Sequence, residues 1–211
     1  MKTWFFDLDG TLADTDGDIR IAWKAAMRDM GLDCPHFDRD FVAGPRIEDM
    51  ARTLFPDIYT DALGAELRRR FGERYDTGGF PATREYPGVL DAVRRIKARG
   101  DAVHIATNKR HAGALAFAAR FGWMDVFSSL FAGDMLCAKG GGAMRKPDLL
   151  AYAMRVLGVA PSGCVMVGDT ANDFDAARAN GIASIGVAWG YGSPEELACA
   201  GRIVRSPEEL P

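Results

Sequence analysis

The chain predicts an α/β protein: a doubly wound parallel sheet with an all-helical insert after its first strand. Three features carry that prediction. Phe5-Phe6 is an apolar strand running directly into Asp7-Leu8-Asp9-Gly10-Thr11-Leu12-Ala13-Asp14. Between Asp14 and Phe80 only helical stripes recur, with no strand pattern. From Tyr86-Pro87-Gly88 onward apolar strands and amphipathic helices alternate, the order that builds a parallel sheet covered on both faces.

Within the insert, Ile19, Trp23, Met27 and Met30 recur on one helical face, and Gly31 supplies a stop. A short helix is expected near Asp38–Val42, broken by Gly44-Pro45. Ile47, Met50, Ala51 and Leu54 form the next stripe, ended by Pro56, and Leu63, Leu67, Phe71 and Tyr75 another, ended by Gly78-Gly79. Thereafter Val89, Leu90, Val93 and Ile96 line a helix closing at Gly100, and Ala102–Ala106 reads as a strand. His111–Phe121 reads as a helix, Ser129–Ala132 as a short strand, and Pro147–Leu157 as a helix with proline in its favoured first turn. A strand Cys164–Val167, a helix Asp173–Asn180 and a strand Ile182–Val187 follow, with Ile203-Val204 a weak last strand. The expected division is a catalytic core of residues 1–14 and 84–211, with a helical cap of residues 15–83 over the strand ends.

A chain of 211 residues can bury a substantial core and carry one domain with an insertion. Its apolar and charged fractions, 48% and 26%, are those of ordinary globular proteins. A formal net charge of -3 gives no electrostatic reason to expect nucleic acid or an anionic membrane as partner. Arg68-Arg69-Arg70, the only basic run, lies in a helical stripe and reads as a solvated helix face. No stretch approaches the ~20 apolar residues that span a bilayer. The few residues before Asp7 leave no room for a secretory signal. Cys34, Cys137, Cys164 and Cys199 show no C-x-x-C spacing, so reduced thiols and a cytoplasmic location are expected, as a monomer or homodimer.

Strand alternation puts Asp7 and Asp9 on one side, and Gly10 lets the backbone turn close to a ligand. Aligned carboxylates repel, which a bound cation or a retained proton relieves. A lone D-x-D is more often just an acidic loop. Here three other polar clusters accompany it: Thr107-Asn108-Lys109, Lys146-Pro147, and Gly168-Asp169-Thr170-Ala171-Asn172-Asp173. In an open α/β sheet ligands bind outside the carboxyl ends of the strands, so these clusters are candidate walls of one site. Taken alone, Asp169 and Asp173 would read as helix-capping acids. His104, inside an apolar strand, reads as a core residue; His36 and His111 fit a loop and a helix start, and no Ser-His-Asp arrangement is suggested. Gly140-Gly141-Gly142 lacks the G-K-[ST] of a P-loop and reads as a mobile loop.

In this order, D-x-D-G-T-x-x-D (Asp7 to Asp14), Thr107, Lys146 and G-D-x-x-x-D (Gly168 to Asp173) resemble the four motifs of the haloacid dehalogenase superfamily. The resemblance implies its Rossmann-like core, with Asp7 as a nucleophile forming an aspartyl-phosphate and Asp9 as general acid, then base. Dehalogenases of that superfamily lack an acid at the second position, phosphonatases usually carry Ala before Gly, and mutases often carry Val after Asp-Gly. Asp9-Gly10-Thr11 therefore resembles the phosphatases. The resemblance further implies Mg²⁺, a hard ion that takes oxygen ligands, held by the carboxylates of Asp7 and Asp169 and the backbone carbonyl of Asp9. Asp173 would act through a water or orient Lys146. Thr107 and the amides after it would seat phosphate at a helix N-terminus, and Asn108 would touch the substrate. Lys146 would supply a point charge to the phosphoryl group, in preference to Lys139 or Arg145, because Lys-Pro before a helix resembles the third motif.

Gly186 to Gly192, Pro194 to Leu197, Lys146-Pro147-Asp148 and Gly158-Val159 resemble phosphoglycolate phosphatases and their relatives. Gly44-Pro45 matches the cap loop these relatives use to contact substrate. Many place a further Pro next and an Arg two positions beyond it, where this chain has Arg46 and Glu48. Arg46 is the candidate to pair with a substrate carboxylate, against a plain reading as a solvated Arg at a helix start. The implied function is a Mg²⁺-dependent phosphomonoester hydrolase of a small phosphorylated metabolite, phosphoglycolate first. The alternatives are a nucleotide or sugar-phosphate phosphatase, a β-phosphoglucomutase-like phosphotransferase, and a non-catalytic binding protein on the same scaffold.

Overall fold

A computed structural model describes residues 1–135 and 144–211. Six parallel strands form one sheet: β1 (Thr3–Phe6), β4 (Ala102–Thr107), β5 (Ser129–Ala132), β6 (Cys164–Gly168), β7 (Ala183–Val187) and β8 (Arg202–Val204). Their spatial order is β5-β4-β1-β6-β7-β8. The chain winds outward from β1 on one side through β4 and β5, then returns to β6 on the other. The order therefore reverses at β1, which pairs with both β4 and β6. Register aligns Phe6 with Ile105 on one side and Val167 on the other, so the ends of these three strands open at one place.

Alternation along β1 explains why its apolar run is uninterrupted. Trp4 and Phe6 join one buried cluster with Val93 and Ile96 of α5 (Val89–Ala98) and Ala114 and Phe117 of α6 (His111–Arg120). Phe5 joins another with Leu149, Leu150 and Ala153 of α7 (Lys146–Leu157) and Ala176 and Ala177 of α8 (Ala171–Ala179). A strand buried on both faces has no polar side. His104 is buried on β4 with its Nδ1 2.6 Å from Ser129 Oγ, and burial lowers its pKa, as a core histidine requires.

Between β1 and α5 lie four further helices: α1 (Asp16–Asp29), α2 (Phe37–Asp40), α3 (Ile47–Leu54) and α4 (Asp61–Tyr75). Two short antiparallel strands, β2 (Ala13–Asp14) and β3 (Arg84–Glu85), pair where the chain leaves and re-enters the core. Trp23, Phe37, Phe41, Phe71 and Tyr75 interlock inside the insert, with Trp23–Phe41 centroids 5.6 Å apart. The stack continues from Tyr75 through Phe80 to Phe117 of α6, at 5.1 and 5.3 Å, so the insert's core is continuous with the sheet's. Phe80 is held there at φ 53, an uncommon conformation for a bulky residue. A short α9 (Pro194–Leu197) follows β7.

Several boundaries differ from the sequence reading. Helix α8 begins two residues before Asp173, because Thr170 and Asp173 form a capping box that starts it earlier. Helix α2 begins at Phe37, whose ring stacks on Phe41 at 4.7 Å. The basic run is not uniformly solvated. Arg69 and Arg70 pair with Glu66 at 2.7 and 2.6 Å on the surface, while Arg68 turns inward and is only 22% exposed. Cys137, Lys139 and Gly140-Gly141-Gly142 lie outside the described residues. No helix among the described residues is long and apolar enough to cross a membrane.

Buried Asp18 ties the two linkers of the insert together. It accepts hydrogen bonds from the amides of Ala82 and Thr83 and from Thr83 Oγ1 at 3.1, 2.7 and 2.7 Å. Replacing it by Ala leaves buried donors unpaired, so Asp18→Ala should cost about 2–4 kcal/mol in urea unfolding. A loss below about 1 kcal/mol would show that water or a local shift satisfies those donors.

Candidate active site

The sheet brings the sequence-predicted carboxylates together at the end of β1. Ligand oxygens of Asp7, Asp169 and Asp173 all lie within 4.8 Å of one another, and all three residues are buried. Lys146, at the first turn of α7, reaches them with its Nζ 2.8 Å from Asp7 Oδ1 and 2.9 Å from Asp173 Oδ1. It is aligned for a hydrogen bond with neither oxygen, so the contact is Coulombic. Asp173 uses its other oxygen to accept from the amide and hydroxyl of Thr170, completing the box that opens α8. The capping role and the role beside Lys146 thus fall on one carboxylate.

Burial is the main cause of the charge state here. It raises the Asp7 pKa to about 7; Lys146 opposes the rise, while Asp173 and Asp9 add to it. Burial, then Asp173 and Asp7, raises the Asp169 pKa to about 8. Burial would depress the Lys146 ammonium, but Asp173 and Asp7 more than reverse that, and its pKa lies above the ordinary value.

Asp169 is seated by backbone that tolerates no side chain. A Cβ on Gly10, at φ 77, would stand 2.1 Å from Asp169 Oδ2, and one on Gly190 only 2.3 Å from Asp169 Cβ. Thr11 Oγ1 donates to Asp169 Oδ1 at 3.2 Å, and the Tyr191 amide donates to Oδ2 at 2.7 Å. The Tyr191 hydroxyl reaches the start of the insert, accepting from the amides of Thr15 and Asp16 and donating to Asp14 Oδ1 at 2.9 Å. Sequence reasoning gave Tyr191 no position. Its only signal was Gly190-Tyr191-Gly192, where two glycines bracket one large residue.

Two residues beside Asp9 were also missed. Lys109 Nζ lies 2.6 Å from Asp9 Oδ1 and 4.4 Å from the centroid of the Tyr75 ring on the insert. Thr15 Oγ1 donates to the same Asp9 oxygen at 2.7 Å. Burial opposes the charge on Lys109, but Asp9 and Tyr75 outweigh it and its pKa is raised; burial pushes the Tyr75 hydroxyl up to about 12. The signal for Lys109 was its place two residues past Thr107, at the end of β4.

Thr107 is buried, and its Oγ1 accepts the Lys109 amide at 3.1 Å. The amides after it are not at a helix N-terminus, contrary to expectation, because α6 starts only at His111. That helix's first amide is already taken by Asp134 Oδ1 at 2.7 Å. Asn108, with its Oδ1 buried and unpartnered, lines a pocket together with Asp9, Lys109, Arg46, Arg68 and Tyr75. Arg46 caps α3 and is 20% exposed, so it faces this pocket rather than bulk solvent. Arg145 points elsewhere: it is 65% exposed and 3.8 Å from Asp49.

The comparisons agree with this geometry. The family described as haloacid dehalogenase-like hydrolase matches residues 4–187. A phosphoglycolate phosphatase of Chromobacterium violaceum is 34% identical over 100% of this chain and 95% of its own length. A 5'-nucleotidase of Pseudomonas aeruginosa is 29% identical over 91% of this chain and 85% of its own. A predicted phosphatase from Clostridium acetobutylicum shares the fold with a TM-score of 0.89 at 24% identity, covering 99% of this chain and 95% of that one.

The raised pKa values have a sign that can be checked without substrate. A carboxylic acid whose folded pKa exceeds its unfolded one stabilises the fold below the unfolded value, and that contribution is lost as pH rises through the folded value. For Asp169 the window runs from 3.8 to about 8. In chelator, Asp169→Asn should therefore be more stable than the parent above pH ~8, with the gain shrinking towards pH ~4. A difference in thermal unfolding that does not vary with pH would mean that this carboxylate carries no burial penalty.

Proposed function

The chain belongs to the haloacid dehalogenase-like hydrolase family. It is a phosphoric monoester hydrolase, and we propose that it is a Mg²⁺-dependent phosphatase acting on a small phosphorylated metabolite through an aspartyl-phosphate on Asp7, with phosphoglycolate as first candidate. The observation that carries this reading is the buried group of Asp7, Asp169 and Asp173 beside Lys146 and next to Asp9. We take residues 1–14 and 84–211 as the catalytic core and 15–83 as its cap, with the β2–β3 ribbon between them. A reduced, cytoplasmic setting fits the absence of paired cysteines among the described residues.

The donor set suits a hard divalent cation. It consists of carboxylate oxygens only, and Asp7 Oδ1 and Asp173 Oδ1 are buried without a hydrogen bond. Asp7 and Asp169, with the Asp9 carbonyl, would hold the ion, and Asp173 would orient Lys146. When bound, Mg²⁺ offsets the repulsion between these carboxylates and a dianionic phosphate.

Everything else falls to the protein's own groups. An Asp7 oxygen attacks phosphorus as the bond to the leaving oxygen breaks, and Asp9 protonates that oxygen as it departs. Lys109 and Thr15 grip one Asp9 oxygen and so fix its orientation, leaving the second for proton transfer. Water then attacks the aspartyl-phosphate, giving its proton to Asp9 and releasing phosphate as the bond to Asp7 breaks. Lys146 and Thr107 hold the phosphoryl oxygens through both steps.

Asp7→Asn should abolish release of phosphate from p-nitrophenyl phosphate, because an amide of similar shape cannot attack phosphorus. Near-parental turnover in a preparation free of other phosphatases would remove Asp7 from the reaction. Titration with Mg²⁺ should release protons near pH 7, because Asp7 and Asp169 ionise near 7 and 8 when no ion holds them. Affinity should fall as pH drops through that range, and the release should vanish above pH ~9. Calorimetry in buffers of different ionisation enthalpy measures the release, and its absence near pH 7 would exclude these two ligands.

A further inference from the structure

The pocket that contains Asp9 has a wall for which the hydrolytic steps have no use. Arg46 caps α3 and Arg68 stands within α4, so two separate helices deliver guanidinium groups to it. One carboxylate bridges them: Glu48 Oε2 is 3.6 Å from Arg46 Nη2, and Glu48 Oε1 is 3.3 Å from Arg68 Nη1. Arg68 Nη2 also lies 3.4 Å from Asp134 Oδ2, in the loop after β5. All of these contacts are long, since a well-made charge-assisted N–H···O bond runs about 2.7–2.9 Å. Arg69, the next residue on α4, reaches Glu66 at 2.7 Å, so the slack belongs to the pocket and not to the helix.

The two guanidiniums are therefore held in place but little used. Arg46 makes no hydrogen bond among the described residues, and Glu48 Oε2 is buried and accepts none. Arg46, Arg68 and Glu48 are each only about one-fifth exposed, so water can supply few of the missing partners. Glu48 offsets the repulsion between two like charges without saturating either. Planar forks with spare N–H donors suit an oxyanion, and a partly desolvated cation gains more from one than a surface cation does. Phe41, Phe71 and Tyr75 line the same pocket and offer apolar surface to a short carbon skeleton.

We propose that Arg46 and Arg68, bridged by Glu48, form a second anion subsite that reads a carboxylate or a second phosphate on the leaving group of the substrate. This rests on the phosphatase reading above and narrows it. The two relatives differ in this respect. The leaving group of phosphoglycolate carries a carboxylate, whereas that of a nucleoside 5'-monophosphate carries no anion. The subsite favours the first kind. Arg46 and Arg68 touch the leaving group; Glu48 acts through them and is a positioning residue.

The test compares kcat/KM for phosphoglycolate and a three-carbon bisphosphate with that for glycerol 1-phosphate and a nucleoside 5'-monophosphate. In the parent, at least one anionic leaving group should be preferred, and whichever ester gains more identifies the group that is read. Arg68→Gln and Arg46→Gln should each lower the ratio of anionic to neutral kcat/KM about tenfold to a hundredfold, mainly through KM. Arg68→Lys keeps the charge but loses the fork, and should recover part of the ratio. Equal losses on both classes, or a parental preference for neutral leaving groups, would overturn the subsite. Calorimetric binding of the same esters to the Asp7→Asn protein, with and without Arg68→Gln, reads the subsite without turnover. If selective binding is lost with Arg68 but the parent hydrolyses no ester, the subsite stands and the phosphatase reading fails.

Discussion

The burial of like charges is the constraint to which the rest of this structure answers. Asp7, Asp169 and Asp173 crowd their oxygens within 4.8 Å of one another, and Asp9 stands two residues from the first. Such a group would not persist on packing alone. Lys146 and Lys109 enter from opposite sides, one against Asp7 and Asp173, the other against Asp9. A buried ion pair seldom adds net stability, because desolvation offsets the Coulombic gain. These pairs are better understood as the condition for assembling the carboxylates at all. The residual penalty remains visible in the raised pKa values of Asp7 and Asp169.

The surrounding backbone is shaped by the same need. Gly10, Gly168, Gly190 and Gly192 each stand where a Cβ would strike Asp169 or Asp173. The carboxylates can therefore lie directly against main chain, which supplies amide donors such as that of Tyr191. The topology does the rest. The strand order reverses at β1, so the ends of β1, β4 and β6 form one crevice whose walls come from far apart in the sequence. The insert leaves from that same crevice. Tyr191 links the two, with its amide on Asp169 and its hydroxyl on Asp14, Thr15 and Asp16.

What the sequence made legible follows from this arrangement. Apolar runs ending in acids fix strand, turn and site together, so Asp7, Asp9, Thr107, Lys146, Asp169 and Asp173 could be placed from motif and spacing. Lys109, Thr15 and Tyr191 could not, because each acts through a contact that only the tertiary fold creates. Their separations from Asp9 or Asp169 range from 6 to 100 residues. The start of α6 was misjudged for a related reason: the amide that a phosphate might have used is bound to Asp134, 23 residues away. Arg68 was hidden by its neighbours. A run of three arginines gives no hint that one points inward, and only the packing of α4 against the core divides them.

The contacts between insert and core are of two physical kinds, and they are segregated. Near the linkers, Tyr75, Phe80 and Phe117 stack at 5.1 and 5.3 Å in a continuous apolar column, which is short-ranged but insensitive to small rotations. Farther along α4 and α3 the contacts are ion pairs: Arg68–Asp134 at 3.4 Å and Arg145–Asp49 at 3.8 Å. Long pairs of this sort contribute on the order of 0–1 kcal/mol when exposed. Separating the insert from the core at the distant end therefore costs much less than separating it at the linkers. Asp9 lies on the boundary, gripped by Thr15 from the linker and by Lys109 beneath Tyr75. A displacement of the insert that left the aromatic column intact would still be felt at that carboxylate, since one of its two partners moves with the linker and the other is packed against the insert.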